Sequence, residues 1–279
     1  MTYYLEHSEW FNSSKIPEGM NLDMINQLGR LDTLLKPSLK DKAKDKIVVD
    51  LGCGTGVLGM YALQHGAKFV YFVERDRDMI HILRNSLPKI LADGTYAIVQ
   101  QDIEELSLND FTNGTPDIFV SEFYGPRMFD EGYVNYTNHL RSLFPNCYFI
   151  PETFKVDFYL LDYARDQPIW PNQDSLLPHY KFMYKEKGFA QYIEFDHTKL
   201  PVVDSITFDA NKQIFQNNIK FKYELSSEKL LIAKSWAVHN EISQVFTTFG
   251  WFLDSDDQGK EFNIYFDTEN YYNPRKIEV

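Results

Sequence analysis

An apolar run ending in Asp50-Leu51 leads into Gly52-Cys53-Gly54-Thr55-Gly56, and the next apolar run closes on Glu74, 24 positions after Asp50. Glycines at alternating positions let a ligand lie against the backbone, because glycine carries no Cβ to block the approach. An acidic residue at the end of the second strand is placed to accept hydrogen bonds from both hydroxyls of a ribose. Together these residues describe a pocket for a nucleoside-bearing ligand. Read as G-x-G-x-G ending at Gly56, the loop suits a ligand that brings no pyrophosphate to the following helix N-terminus, which argues against a dinucleotide. A glycine turn without a ligand would leave Glu74 unexplained.

A second group of residues invites a different chemistry. The segment Ser121-Glu122-Phe123-Tyr124-Gly125-Pro126-Arg127-Met128-Phe129-Asp130-Glu131 places two glutamates nine positions apart around a Gly-Pro turn. Carboxylates brought together in a partly buried site repel one another and are kept for a proton, a metal or a cationic ligand. The plainer alternative is a strand-end acid followed by an acid favoured by a helix N-terminus. The seven histidines form no close-spaced set with acids or cysteines, so no metal ligand set is expected.

These groups need elements to hold them. Strand-like and helix-like stretches alternate over 47–51, 57–64, 69–73, 76–85, 97–100, 117–121, 133–143 and 148–150, which predicts a parallel sheet with crossover helices. In such a sheet the carboxyl ends of the strands form the ligand crevice, so the loops after Asp50, Glu74 and Glu122 face one site. Ahead of it, Leu22, Ile25, Leu28, Leu31 and Leu34-Leu35 recur at helical spacing and predict an amphipathic helix ending near Pro37, with 40–46 a solvated connection. After Pro151, short alternating aromatic segments separated by Pro, Asn and Gly read as antiparallel strands. The expected fold class is α/β, a Rossmann-like sheet followed by an antiparallel, barrel-like domain. The expected division is an N-terminal helical segment over 1–45, a ligand-binding domain over 46–150 and a substrate domain over 151–279.

Composition narrows the field further. With 28 Lys plus Arg against 40 Asp plus Glu, the formal charge of −12 opposes generic nucleic-acid binding and tolerates a cationic substrate. The cysteines, Cys53 and Cys147, lie far apart and suggest neither a disulfide framework nor a zinc site, which fits a reducing cytoplasm. No basic segment followed by an apolar run opens the chain, and no stretch approaches the roughly 18 apolar residues of a membrane helix, so a soluble protein without a membrane partner is expected.

The segment Asp50-Leu51-Gly52-Cys53-Gly54-Thr55-Gly56 resembles motif I of class I S-adenosylmethionine (SAM) methyltransferases. Glu122 and Glu131 resemble the paired glutamates of the "double-E loop" in the protein arginine N-methyltransferase family. Gly66-Ala67 before Glu74's strand, and Asp102-Ile103-Glu104-Glu105-Leu106, are similar to further segments of that family. The resemblance implies SAM as cofactor, with Asp50, Gly52, Gly54, Gly56 and Glu74 around it, Ile103 against the adenine ring and Glu104 near its exocyclic amine. Asn21-Leu22-Asp23-Met24, with Arg30 six positions after Met24, resembles the helix whose Met lines the reaction centre and whose Arg holds the SAM carboxylate. Glu122 and Glu131 are then the catalytic pair, acting on a guanidino nitrogen of arginine in a protein or peptide, or of free arginine; from its place in the loop, Arg127 could hold the carboxylate of free arginine or equally pair with Asp130.

Departures from the family define the alternatives. Asn273-Pro274-Arg275 stands where the family carries Thr-His-Trp, and Trp10-Phe11 is all that matches its first aromatic helix. The segment 169–201 is short for the family's dimerisation arm, so an arm-mediated ring dimer is not expected. A SAM-binding or partner-binding protein without turnover is one alternative. A nucleic-acid methyltransferase is another, against which stand the net charge and Ser121-Glu122-Phe123-Tyr124 in place of the D-P-P-Y type of motif.

Overall fold

The structure is a computed structural model and describes residues 31, 35–122, 132–162, 179–186, 189–196, 202–212, 214–215, 218–222, 229–239, 242–253, 261–265 and 275–278. The chain divides into two compact units, one made of 1–122 and 139–151, the other of 123–138 and 152–279. The expected linear division at 150/151 thus differs from the contact division, which assigns a stretch of the first half to the second unit.

The first unit is built on strands β1 (Ile47–Leu51), β2 (Phe69–Glu74), β3 (Tyr96–Gln100), β4 (Ile118–Ser121) and β5 (Tyr148–Ile150). All pair in parallel, in the order β3-β2-β1-β4-β5. β1 and β4 are buried at every residue and β2 at all but Glu74, whereas the edge strand β3 is half-buried at best. Unbroken apolar runs are what a strand covered on both faces requires. Tyr71 and Phe119 from adjoining parts of the sheet meet Phe111 edge-on, at ring-centroid separations of 5.0 and 6.4 Å. The Tyr71 hydroxyl is satisfied in this core by the Asn113 N–H, at 2.7 Å.

The crossovers carry helices α1 (Lys36–Lys42), α2 (Val57–Gln64), α3 (Arg77–Ser86) and α4 (Tyr133–Leu143). α2 and α4 have the bounds the sequence predicts. α1 corrects the expectation of a helix end at Pro37 and a solvated connection from residue 40. Pro37 lies in the first turn of α1, where its missing N–H costs no helical bond. Ser38 and Leu39 face inward with Leu35 and Ala43 beside them, while Lys40 and Asp41 face solvent. Only residues 44–46 remain as an exposed connection.

In the second unit the main sheet is antiparallel, in the order β10-β9-β6-β12-β13, with β6 (Thr153–Asp162), β9 (Val202–Asp209), β10 (Ile214–Phe215), β12 (Lys229–His239) and β13 (Ile242–Leu253). β7 (His179–Glu186) and β8 (Phe189–Asp196) form a pair, and β11 (Asn218–Lys222), β14 (Glu261–Tyr265) and β15 (Arg275–Glu278) a third sheet. Phe154, Val156 and Phe158 alternate along β6 and are fully buried, and Tyr133 packs edge-on against Phe154 at 4.3 Å. This is the antiparallel domain that the alternating aromatic segments predict. The segment read as a shortened arm holds the β7–β8 pair.

Candidate cofactor site

Strand register gathers the site. Leu51 on β1 pairs with Val73 on β2 and with Ser121 on β4. Gly52, Glu74 and Glu122, each one residue further on, therefore stand at one level across three neighbouring parallel strands. β1 and β4 are also where the strand order reverses, the position at which open parallel sheets leave a ligand crevice.

Gly52, Gly54 and Gly56 all adopt left-handed backbone, at φ of 58°, 51° and 78°. Residues with a Cβ adopt that conformation only at a cost, so the glycines are required by the turn itself. For Gly56 the space a Cβ would take is filled by protein: it would lie 2.9 Å from Phe72 Cε1. The close approach at this position is between loop and sheet.

The floor of the loop is Asp50, 2% exposed, whose Oδ2 accepts the Gly59 N–H at 2.7 Å. Burial pushes its carboxyl up to about 8; the Gly59 N–H acts in the opposite direction, and the charges of Glu74 and Glu122 add to the rise. Gly59 also corrects the reading of the loop. Gly54, Gly56 and Gly59 do complete the spacing G-x-G-x-x-G. The last glycine serves helix–strand packing, because a Cβ on Gly59 would lie 2.3 Å from Phe72 Cε1. Its N–H, one of the free donors in the first turn of α2, is taken by Asp50. One first-turn donor of the helix is thus taken from within, and the glycine spacing itself does not argue against a pyrophosphate ligand.

Glu74 forms the rim. Its Oε2 accepts the Gly54 N–H at 2.9 Å, and its Oε1 accepts the N–H groups of Arg75 at 2.8 Å and Asp76 at 2.9 Å. Asp76 in turn caps α3, accepting from the N–H groups of Asp78 and Met79. Three backbone donors hold the carboxylate in one orientation, two on Oε1 and one on Oε2, which leaves about one of its roughly four acceptor sites, on Oε2, for a hydroxyl donor. Beyond β3, Asp102 Oδ1 accepts the Glu104 N–H at 3.1 Å and opens the 3-10 turn Ile103–Glu105. Ile103 is 8% exposed and Glu104 faces solvent.

Cys53 sits among these acids. Burial, with the charges of Asp50 and Glu74, pushes its thiol well above the ordinary range and keeps it a poor nucleophile. Both cysteines are free. Of the two glutamates expected to act as a pair, Glu122 is described, half-buried at the end of β4; Glu131 lies outside the described residues, as do Met24 and Arg30. Among the described residues no group of His, Cys, Asp and Glu is arranged for a metal, and no helix is long and apolar enough to cross a membrane.

Residues 48–141, which carry the glycine turn over a buried Asp and the acidic end of β2, match the methyltransferase domain family. The chain is also similar to protein arginine N-methyltransferases. It is 44% identical to protein arginine N-methyltransferase 1 of Saccharomyces cerevisiae over 122 residues, 42% of this chain and 32% of that one. To the Caenorhabditis elegans protein of the same name it is 28% identical over 221 residues, 74% of this chain and 58% of that one. The fold matches the Trypanosoma brucei PRMT1 enzyme-prozyme heterotetrameric complex with AdoHcy, at a TM-score of 0.54 and 19% identity, over 88% of this chain and 86% of that chain. The chain spans about a third to a half of the length of the first curated relatives it matches.

Proposed function

We propose that this protein transfers a methyl group from SAM to a guanidino nitrogen of arginine. The observation that carries the reading is the level arrangement of Gly52, Glu74 and Glu122. It supports reading Glu74 as the acceptor for the ribose and Glu122, across β1, as a group for a cation approaching the cofactor. The lining fits SAM: a first-turn helix donor taken by Asp50, a pre-oriented Glu74, an apolar Ile103 and an acid at Glu104. Met24 and Arg30 are assigned to the methionyl end of the cofactor on the family resemblance. SAM supplies an electrophilic methyl on a sulfonium.

A guanidinium is a planar cation with a pKa above 12, and a carboxylate grips it through two parallel hydrogen bonds. Glu122 and Glu131 are assigned this grip, which concentrates positive charge on the held nitrogens and leaves the third with more lone-pair character. In-line transfer needs little prior proton removal, so fixing nitrogen and methyl within about 3–3.5 Å supplies much of the rate. The proton leaves late, to a glutamate or to water. The names of the relatives favour arginine within a protein or peptide as acceptor over free arginine.

A second reading, a SAM-binding partner without turnover, is favoured by Asn273-Pro274-Arg275 in place of Thr-His-Trp. One experiment separates the two. Labelled SAM is offered with an arginine-rich peptide, free arginine and RNA, and the product is mapped by mass spectrometry. A methyl on a guanidino nitrogen is expected, with Glu122→Gln and Glu131→Gln each lowering transfer at least about a hundredfold at nearly unchanged SAM affinity. SAM binding without transfer selects the second reading. A methyl on a nucleobase, oxygen or carboxylate overturns both.

A further inference from the structure

Outside the residues already assigned, one pair of side chains joins two parts of the site. Arg75, directly after Glu74, sends Nη1 to Asp102 Oδ2 at 3.0 Å, while Asp102 Oδ1 holds the Glu104 N–H at 3.1 Å. Arg75 also gives its own N–H to Glu74 Oε1. A continuous chain of hydrogen bonds thus runs from the Gly54 N–H through Glu74, Arg75 and Asp102 to the backbone of Glu104. The backbone supports the junction, since the Gln101 N–H reaches the Glu74 carbonyl at 3.2 Å and extends the β2–β3 pairing past its last residues. The far end of the turn is held separately, where His139 Nε2 meets the Leu106 carbonyl at 2.9 Å.

The pair is exposed, with the Arg75 side chain 67% and that of Asp102 29% accessible. Exposed ion pairs contribute little to stability, typically about 0–1 kcal/mol. Here the geometry supplies what the energy does not: a single carboxylate fixes the backbone from which Glu104 projects and ties it to the strand end that carries Glu74.

We propose that Arg75 and Asp102 are positioning residues that set the base selectivity of the cofactor pocket by holding Glu104 in register with Glu74. The inference rests on the SAM reading, in which Glu104 stands near the exocyclic amine. Adenine presents an amine donor at position 6, which a carboxylate accepts. Hypoxanthine presents a carbonyl oxygen there, which a carboxylate repels, so Glu104 discriminates only if its distance from the base edge is fixed.

The test is calorimetric titration of the full chain with S-adenosylhomocysteine and with S-inosylhomocysteine, its hypoxanthine counterpart. Wild type should prefer the adenine form at least about tenfold. Arg75→Ala and Asp102→Ala should each reduce that preference by about threefold or more, through weaker binding of the adenine form, with Arg75→Lys restoring part of it. Melting temperatures should barely move for Arg75→Ala. Equal weakening of both ligands, leaving the preference intact, makes the pair mere scaffolding and overturns the inference, as does a wild type that does not discriminate. A wild type that binds neither ligand overturns the SAM reading itself.

Discussion

The floor and the rim of the glycine loop each rest on one carboxylate, and the two are held in opposite ways. Asp50 is buried and meets the single N–H of Gly59, whereas Glu74 is half-buried and receives three backbone donors from Gly54, Arg75 and Asp76. One donor does not offset full burial, and Asp50 keeps its proton up to about 8. The difference separates two tasks. The floor shapes the loop and belongs to folding, while the rim is a ready-made acceptor and belongs to binding.

The largest effect that would break this division concerns pH. In the folded, ligand-free protein Asp50 holds a proton up to about 8, against 3.8 ordinarily. The unfolded chain releases that proton first, so this group's contribution is full below pH 3.8 and is lost as pH rises toward about 8, levelling beyond it. Asp50→Asn keeps an acceptor for Gly59 and abolishes the dependence. The variant should match wild type near pH 4 and exceed it at pH 9 by several kcal/mol, read from parallel denaturant titrations. Parallel curves for the two proteins would show that the floor carboxyl is ionised after all.

Next comes the rim. Glu74→Ala should weaken S-adenosylhomocysteine by about 1.5–3 kcal/mol, the range for a hydrogen bond to a charged partner, with little change in melting temperature and no NAD binding by either protein. An unchanged affinity would remove Glu74 from the pocket. The smallest effect sharpens the floor: Gly59→Ala presses a methyl against the Phe72 ring and should cost about 1–3 kcal/mol of stability, as overpacking does. Once folded, the variant should bind the ligand within a few-fold of wild type. A selective loss of binding would move Gly59 from floor to rim.

The sequence made the parallel sheet legible because strands covered on both faces must be continuously apolar, as 47–51 and 69–73 are. α1 was hidden by its composition: Lys-Pro-Ser-Leu-Lys-Asp-Lys offers one apolar residue, and only the neighbours Leu35 and Ala43 complete its buried face. Gly59 is legible as the last glycine of the G-x-G-x-x-G that starts at Gly54; what the spacing does not give is its partners, a carboxylate nine positions earlier and an aromatic ring on β2. The Arg75–Asp102 pair leaves no periodic trace, since two exposed charges 27 positions apart are ordinary in any surface. Glu74 could be assigned from its place at a strand end, but its three backbone donors depend on how the turn into α3 folds.

The Asp50–Gly59 contact has a consequence for a cell, where adenosine is carried mostly on phosphates. A phosphate reaching for the Gly59 N–H would have to displace a side chain that is covalently part of the protein, and therefore present at a local concentration no dissolved metabolite reaches. That one donor is taken in advance by a competitor that cannot diffuse away.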